Sequence, residues 1–316
     1  DARHPDEVHF VPDVRQDLAR RDFTINAMAY NGAEGLIDPF GGQQDLQQGI
    51  LRAVGDPATR FEEDAMRILR LYRFAARFGF AIDPPTGQAA RALCAHLDCV
   101  SVERIEEELS KLLAAPAPAA YLDEKILKVI IPELSAPALQ AAKPVVDACP
   151  AGTEDLPVRW AALLMSLGED GTRKALKRLR CSNTCIEQTA VLVREASTAP
   201  GQAPAAHDTV IRIRKLLGRY DLHTVQRLAA LGAAMEPEQA ADFAAQAELA
   251  AQLDADGVCC RVSQLAVNGR DLMAAGIPAG PGLRRTLEAL LDAVIRGQLL
   301  NERQCLLDAA GQISAS

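Results

Sequence analysis

Aromatic residues are scarce in this sequence, and long apolar runs are absent. Phe, Trp and Tyr make up only 4% of the 316 residues, and strand-like alternation of apolar and polar residues is rare. No stretch reaches the length of an apolar membrane span, and no signal peptide opens the chain. We therefore expect a soluble, cytoplasmic protein that does not insert into a membrane.

The cysteines follow neither a metal-binding nor a disulfide pattern. The eight of them form no paired CxxC motifs and no Cys/His cluster with the spacing of a zinc site. We expect reduced thiols, most of them buried.

A general excess of positive charge is also absent, because the formal net charge is −8. This excludes a protein coated with basic residues for nucleic acid, so any contact with nucleic acid has to be local. Two segments carry enough positive charge for such a contact, residues 62–80 and TRKALKRLR at 172–180.

What the sequence does contain predicts a mostly helical α+β protein. Ala and Leu are abundant, and 49% hydrophobic residues can build substantial cores. VHFVPDV at 8–14 alternates like a strand, helical spacing covers 17–31, and a Pro-Gly-Gly turn within 36–54 suggests a small sheet. From Thr59 onward helix follows helix, and the Pro-, Ala- and Gly-rich stretch 197–208 is typical of a flexible linker.

The segment EEDAMRILRLYRFAARFGF at 62–80 places four arginines on one face of a predicted continuous helix. We call these residues the arginine ridge: Arg67, Arg70, Arg73 and Arg77. They fall within about 120° of one another on the helical wheel. Glu63 and Asp64 can pair with Arg67, but the other three arginines have no acidic neighbour at helical spacing. Because unpaired like charges repel, the ridge favours an anionic ligand over a merely solvated charged face.

Four motifs occur in a fixed order: RRDFTINAMA (20–29), DPFGGQQDL (38–46), the segment 62–80 and VERIEEELSKLL (102–113). Together they resemble the bacterial class II tRNA nucleotidyltransferases, which comprise the CCA-adding enzymes and related poly(A) polymerases. Residues 265–307 resemble the tail of that family, and the similarity is weakest between 135 and 255. The resemblance implies a four-part chain: the C-terminal part of a nucleotidyltransferase head (1–58), a nucleotide- and RNA-binding neck (59–134), a helical body (135–256) and a helical tail (257–316).

The resemblance implies template-independent addition of C and A to the 3′ end of tRNA, with CTP and ATP as substrates and Mg²⁺ as cofactor. It assigns nucleotide binding to six residues: Arg21, Asp22, Asp64, Arg67, Arg70 and Arg73. Asp64 and Arg67 would form the protein template for the incoming base, and Asp22 would lie near the ribose hydroxyls. Without the resemblance, Arg21 and Asp22 would be interpreted as an adjacent, exposed ion pair.

The hydrogen-bonding groups of the bases fit this assignment. Cytosine and adenine each offer an amino donor beside a ring-nitrogen acceptor, so one carboxylate and one guanidinium can serve both. Guanine and uracil present the reverse order and would leave both side chains mispaired. Guanidinium groups further along the helix, on Arg70 and Arg73, are suited to binding a triphosphate. Arg104 and Glu107, in the fourth motif, are expected to support the 62–80 helix.

Two segments of the tail, NGRDL (268–272) and GPGLRRTL (280–287), each place a glycine beside the start of a predicted helix. N–H groups at such a start favour phosphate. We therefore expect Arg270, Arg284 and Arg285 to bind the tRNA backbone, with a packed helical cap as the alternative.

The chain departs from the family pattern at the metal-binding carboxylates. The family holds its two metal ions with a DxD after a Gly-Gly loop, whereas the only D-x-D here is Asp254 and Asp256, without such a loop. We therefore expect a chain that lacks the N-terminal part of the head, contains no catalytic or metal-binding residue, and is inactive alone. Met165 and Ser166 stand where some relatives carry a phosphohydrolase His-Asp pair, so no metal hydrolase is expected there.

Two alternatives stay open at the level of sequence. One is a poly(A) polymerase, or an enzyme that adds only CC or only A, because the distinguishing features fall outside these residues. The other is a non-catalytic RNA- or nucleotide-binding protein. The sequence leaves the oligomeric state undetermined.

Overall fold

A computed structural model of the protein describes residues 13–197 and 206–314. The contacts divide the chain into two compact units, Asp1–Arg194 and Glu195–Ser316. Helices dominate and the strands are short, which confirms the predicted mostly helical α+β class. The division into head, neck, body and tail stays a prediction.

The first unit contains short strands among its early helices. The strands are β1 (Ala29–Asn31), β2 (Gly35–Ile37), β3 (Ile50–Leu51) and β4 (Ala81–Ile82). The helices are α1 (Val14–Ala19), α2 (Gly42–Gln48), α3 (Pro57–Glu63), α4 (Met66–Phe78), α5 (Pro84–Ala92), α6 (Val102–Leu113), α7 (Glu124–Ile130), α8 (Ala136–Ala148), α9 (Leu156–Leu164), α10 (Gly168–Arg178) and α11 (Asn183–Ser197).

The described part of the second unit is helical. Its helices are α12 (Ala206–Arg219), α13 (Leu222–Met235), α14 (Ala240–Ala255), α15 (Gly269–Ala274), α16 (Pro281–Ile295) and α17 (Arg303–Ser314). No helix in the described ranges is both long enough and apolar enough to cross a membrane. The predicted linker 197–208 lies outside the described residues from 198 to 205.

Two small sheets form in the first unit. Strands β1 and β2 pair antiparallel, with Tyr30 opposite Leu36, and β3 pairs with β4 in parallel, with Leu51 opposite Ile82. An isolated bridge joins Phe23 to Ala53. The turn predicted within 36–54 therefore does lie among short strands, but α2 occupies the middle of that segment.

The helix predicted over 17–31 is wrong beyond Ala19. Helix α1 begins where the Asp13 carboxylate accepts a hydrogen bond from the Arg15 amide at 2.9 Å. It ends just before Asp22, whose side chain accepts the Phe23 amide at 2.9 Å and so competes with helical hydrogen bonding. A short 3₁₀ turn and β1 complete the segment. The predicted strand at 8–14 lies outside the described residues up to 12, and Val14 already belongs to α1.

The prediction of one continuous helix over 62–80 is also wrong. Helix α3 ends at Glu63, Asp64 has extended backbone with φ −151° and ψ 101°, and α4 starts at Met66. The Asp64 carboxylate accepts the Met66 amide at 3.0 Å and so takes part in starting the second helix. Gly79 ends α4 in the left-handed conformation, with φ 67°.

Helix α4 is the central packing element near the ridge. Its apolar side carries Ile68, Leu71 and Ala75, which are fully buried, and it packs against α6. Helix α6 in turn buries Leu109 and Leu113. Burial of these side chains holds the two helices side by side, so that residues near the start of α6 can reach the start of α4.

A buried arginine ties helix α9 to the ends of two other helices. Arg159 is fully buried, and its guanidinium donates only to backbone carbonyls among the contacts of the described structure: Leu113, Ala115, Pro116, Cys149 and Pro150. These carbonyls lie at and just beyond the C-terminal ends of α6 and α8, where helical carbonyls have no partner within their own helix. One side chain thus satisfies the polar groups at both helix ends.

Candidate nucleotide-binding site

A cleft of about 520 Å³ lies between the loop after α1, helix α4 with the residues just before it, and the start of α6. Its lining contains five arginines and two aspartates, together with an amide and an aromatic ring: Arg20, Arg21, Asp22, Asn26, Asp64, Arg67, Arg70, Phe74 and Arg104. Five of the six residues predicted to bind nucleotide therefore meet here, although they come from two distant parts of the sequence. The excess of arginine over aspartate suits an anionic ligand.

Asp22 is buried at the base of the cleft and holds Arg70. It is 8% exposed, and its Oδ2 accepts hydrogen bonds from Nε and Nη2 of Arg70 at 2.9 and 2.6 Å. Its Oδ1 accepts the Phe23 amide at 2.9 Å and the Asn26 side-chain amide at 3.0 Å. The exposed ion pair between Arg21 and Asp22 that was the alternative at the sequence level does not form.

Arg21 instead pairs with Asp17, on the rim of the cleft. Nη2 of Arg21 lies 2.9 Å from Oδ2 of Asp17, and Arg20 donates to the other oxygen of the same carboxylate. These two hydrogen bonds lower the pKa of Asp17. The Arg21 side chain keeps 53% of its surface exposed, so it can turn toward a ligand without leaving a buried site.

Arg67 is held firmly beside Asp64. Its guanidinium donates to the backbone carbonyls of Arg20 and Arg60 at 2.8 and 3.1 Å and to the Glu63 carboxylate at 2.9 Å. The Arg67 amide donates to the Asp64 carbonyl at 3.0 Å. The guanidinium that was predicted to read a base is therefore fixed in place before a ligand binds.

Asp64 supplies the carboxylate that is predicted to read the base together with the Arg67 guanidinium. One oxygen accepts the Met66 amide, and the other lies 3.5 Å from Nη2 of Arg104. The side chain is 38% exposed, so it retains accessible acceptor capacity toward the cleft. The support predicted from Arg104 thus acts on Asp64, whereas Glu107 pairs with Lys111 along α6.

Arg73 is not among the residues that line the cleft. It is 7% exposed, forms an ion pair with the buried carboxylate of Glu108, and lies with its guanidinium carbon 3.8 Å from the centre of the Phe74 ring. Its predicted role in nucleotide binding stays a prediction. The sequence showed no acidic partner for Arg70 or Arg73 because Asp22 and Glu108 come from other elements.

Four residues that line the cleft were not predicted as ligands: Arg20, Asn26, Phe74 and Arg104. Arg20 precedes Arg21 in the first motif, and its position beside an arginine predicted to contact nucleotide was the available signal. Phe74 follows Arg70 by one turn of α4, and the Arg70 guanidinium carbon lies 5.2 Å from its ring centre. Helical spacing from Arg70 was the signal for Phe74.

The arginines predicted to bind RNA lie in the second unit. Arg270 is in α15, and Arg284 and Arg285 are in α16. Asn268 caps α15 and accepts the amides of residues 270 and 271 at 2.8 and 3.3 Å, so the N–H groups expected to face phosphate there are already occupied. Arg284 donates to Glu288 at 2.8 Å and remains largely exposed. RNA binding by the three arginines stays a prediction.

Across residues 13–197 and 206–314, no group of three or more His, Cys, Asp or Glu side chains is placed to hold a metal ion. Asp254 and Asp256 are exposed at the end of α14, in the second unit. We therefore derive no chemical step through a metal from these residues.

Comparisons with known proteins identify the family of the chain. Three family models match: the poly A polymerase head domain at residues 1–52, the probable RNA and SrmB-binding site of polymerase A at 79–136, and tRNA nucleotidyltransferase domain 2 at 154–310. The CCA-adding enzyme of Limosilactobacillus fermentum is 35% identical, over 99% of this chain and 76% of its own.

Solved structures show the same fold. The crystal structure of the Bacillus stearothermophilus CCA-adding enzyme in complex with CTP has a TM-score of 0.75 and 28% identity, over 96% of this chain and 75% of its own. The Thermotoga maritima CCA-adding enzyme complexed with tRNA has a TM-score of 0.63 at 21% identity, over 95% of this chain and 73% of its own. The chain therefore belongs to the CCA-adding enzymes of the class II tRNA nucleotidyltransferase family.

Proposed function

We propose that the protein serves template-independent addition of C and A to the 3′ end of tRNA, with CTP and ATP as substrates, and that the cleft selects the incoming base. The observation that carries this proposal is that an accessible Asp64 carboxylate and a fixed Arg67 guanidinium line the same arginine-rich cleft. The relatives named CCA-adding enzymes, one of them solved with CTP and one with tRNA, support it.

Base selection follows from the donor and acceptor properties of these two side chains. The Asp64 carboxylate accepts the amino group of cytosine or adenine, and the Arg67 guanidinium donates to the neighbouring ring nitrogen. Guanine or uracil would place an acceptor against the carboxylate and a donor against the guanidinium. Two buried or half-buried groups would then be left mispaired, which costs far more than the loss of one hydrogen bond.

The phosphates of the nucleotide would be bound by the remaining arginines. Arg70 is oriented by Asp22 and needs little rearrangement, whereas Arg21 is exposed and can swing toward a ligand. Guanidinium groups bind phosphate oxygens in bidentate fashion. The buried Asp22 carboxylate at the bottom of the cleft thus orients Arg70, while the other arginines neutralise the charge of the phosphates.

The family indicates use of a divalent metal, for which we expect Mg²⁺. The roles that we propose for the described residues themselves are nucleotide selection and tRNA binding, and the metal would supply stabilisation of the attacking and leaving oxygens when bound.

Nucleotide binding to the whole chain tests the proposal. Titration calorimetry with CTP, ATP, GTP and UTP should give tighter binding for CTP and ATP than for GTP and UTP. Equal affinity for all four nucleotides would contradict base selection by the cleft. A tRNA that lacks its terminal CCA should bind to the same preparation, and failure to bind it would contradict the assigned polynucleotide substrate.

A further inference from the structure

Another cavity, of about 380 Å³, is lined only by residues of the second unit, most of them on helices α12, α13 and α14. Much of its wall is apolar, and several of its large side chains remain only half-buried in the folded chain: Ile211, Leu216, Leu228 and Phe243. Sites for small molecules span about 300–1,000 Å³ and have mostly apolar walls with a few polar groups. The cavity therefore has the size and the lining of a site for a small organic ligand.

The shape of the cavity is fixed by the packing of its helices. A Cβ atom at Gly232 of α13 would lie 2.4 Å from Cε1 of Phe243, so the Phe243 ring rests directly on the α13 backbone. Two other lining residues, Ile213 and Val225, are buried in a hydrophobic core to which α12 and α13 both contribute. The apolar wall is thus held by the fold before a ligand binds.

The wall also contains a guanidinium that has no counter-charge. Arg212 is half-buried, and among the contacts of the described residues its guanidinium donates only to the side-chain carbonyl of Gln246, which lines the same cavity. Nε of Arg212 is buried without a hydrogen-bond partner. Burial lowers the pKa of Arg212, and no carboxylate of the described structure opposes this shift. A partly desolvated cation without a partner is costly, so the cavity favours an anionic ligand.

The other charged groups of the lining restrict this anion to a single charge. Lys215 is already paired with Asp292, at 2.7 Å, and Arg219 is exposed. Three carboxylates balance the three cations of the lining: Glu195, Asp208 and Glu236. These carboxylates would repel a nucleoside triphosphate or an RNA backbone, because like charges brought together are unfavourable. One carboxylate, placed on the one guanidinium without a partner, avoids this repulsion.

We propose that this cavity binds a small apolar monocarboxylate, such as a medium-chain fatty acid, with the carboxylate on the Arg212 guanidinium and the hydrocarbon chain against the apolar wall. A planar guanidinium binds a carboxylate through two parallel N–H donors, and the neighbouring Gln246 amide has N–H donors of its own. Burial of the chain supplies affinity, while Arg212 supplies the preference for a charged end group.

Binding of two ligands with the same hydrocarbon chain tests the proposal on the whole protein. Decanoate and decanol are titrated by calorimetry below the concentrations at which they aggregate. Decanoate should bind about tenfold more tightly, because a hydrogen bond to a charged group is stronger than one between neutral groups. CTP should leave decanoate binding unchanged, since the nucleotide cleft is in the first unit. Absence of decanoate binding, equal affinity for both ligands, or displacement of decanoate by CTP would overturn the proposal.

A charge-removing variant tests the role of Arg212. Arg212→Gln should weaken decanoate binding about tenfold and leave decanol binding unchanged. Arg303→Gln is the matched control, because it removes an exposed cation of the same unit outside the cavity lining, and it should change neither affinity.

Urea unfolding of the ligand-free variants separates ligand binding from a structural role. Arg212→Gln should be no less stable than the parent protein, because it removes a partly desolvated charge that has no partner. A structural role would instead lower the urea concentration at the midpoint of unfolding. Either that loss of stability or the parent affinity for decanoate in Arg212→Gln would overturn the assignment of the carboxylate to Arg212.

Discussion

Asp22 and Arg70 form a two-point ion pair that links the loop after α1 to the middle of α4. Both Nε and Nη2 of Arg70 donate to the same carboxylate oxygen, at 2.9 and 2.6 Å. The other oxygen is held by the Phe23 amide and by Asn26, so the carboxylate cannot follow the arginine if it moves. One wall of the cleft is thus set before any ligand arrives.

Replacing Asp22 with asparagine should weaken CTP binding about tenfold. The substitution removes the charge-assisted hydrogen bonds that orient Arg70, each worth about 1.5–3 kcal/mol, and part of that energy is realised as positioning. Titration calorimetry measures the effect. Asp17→Asn, which changes a half-buried carboxylate on the rim, should have a smaller effect. Unchanged CTP affinity in folded Asp22→Asn would show that Arg70 is oriented without Asp22.

Replacing Arg67 with alanine should reduce discrimination among the four nucleotides, and not only overall affinity. The guanidinium supplies the donor that distinguishes the ring nitrogen of cytosine and adenine from the N–H of guanine and uracil. Binding of CTP, ATP, GTP and UTP to the variant measures this directly. Arg77→Ala, on the same helix but outside the cleft lining, is the matched control. If Arg67→Ala keeps the parent preference, the template assignment is wrong.

Glu108→Gln should destabilise the protein by about 3–5 kcal/mol, because it leaves the buried Arg73 without its counter-charge. The neighbouring change Glu107→Gln, at an exposed ion pair with Lys111, should cost no more than about 1 kcal/mol. Urea unfolding followed by circular dichroism compares the two. Similar losses of stability for both variants would mean that the Arg73 pair is not an important buried interaction.

Replacing Arg270, Arg284 and Arg285 together with alanine should weaken tRNA binding about tenfold and leave CTP binding unchanged. Each arginine that contacts a phosphate also adds about 0.7–0.9 to the slope of log affinity against log salt, so the slope should become shallower. Filter binding over a range of salt concentrations gives both quantities. A folded triple variant with the parent affinity for tRNA would favour the packed helical cap instead.

The chain of 316 residues should incorporate no nucleotide by itself, because its described residues offer no metal-binding carboxylate set. The assay combines the purified chain, tRNA lacking its CCA end, labelled CTP and Mg²⁺. Loss of two-metal stabilisation removes many orders of magnitude in rate. Incorporation that survives purification to constant specific activity would contradict this expectation, and Asp254 and Asp256 would then be the first residues to replace.

The sequence predicted which residues meet in the cleft better than it predicted the backbone that brings them together. Apolar spacing runs through Asp64 without interruption, so periodicity alone indicates one helix. The break depends on a local competition, in which the Asp64 side chain accepts the Met66 amide while its backbone is extended. Asp64 and Arg67 nevertheless line one cleft, and their role in nucleotide binding stays a prediction.

Ion pairs between residues far apart in the sequence could not be predicted from helical spacing. That rule finds partners three or four residues away, whereas Asp22 and Arg70 are 48 residues apart and Arg73 and Glu108 are 35 apart. The arginine ridge therefore looked more cationic in the sequence than it is in the folded chain. The sequence prediction for α15 considered the glycine at the helix start but not the Asn268 side chain before it. That side chain accepts hydrogen bonds from the amides of residues 270 and 271, which were expected to face phosphate.

The buried guanidinium of Arg159 restricts where the first unit can bend. It donates to carbonyls at the ends of α6 and α8, and it is fully buried. A hinge between α6 and α9 would strand a positive charge away from both water and its partners, which is a costly state. Any movement of this part of the first unit must therefore carry α6, α8 and α9 together.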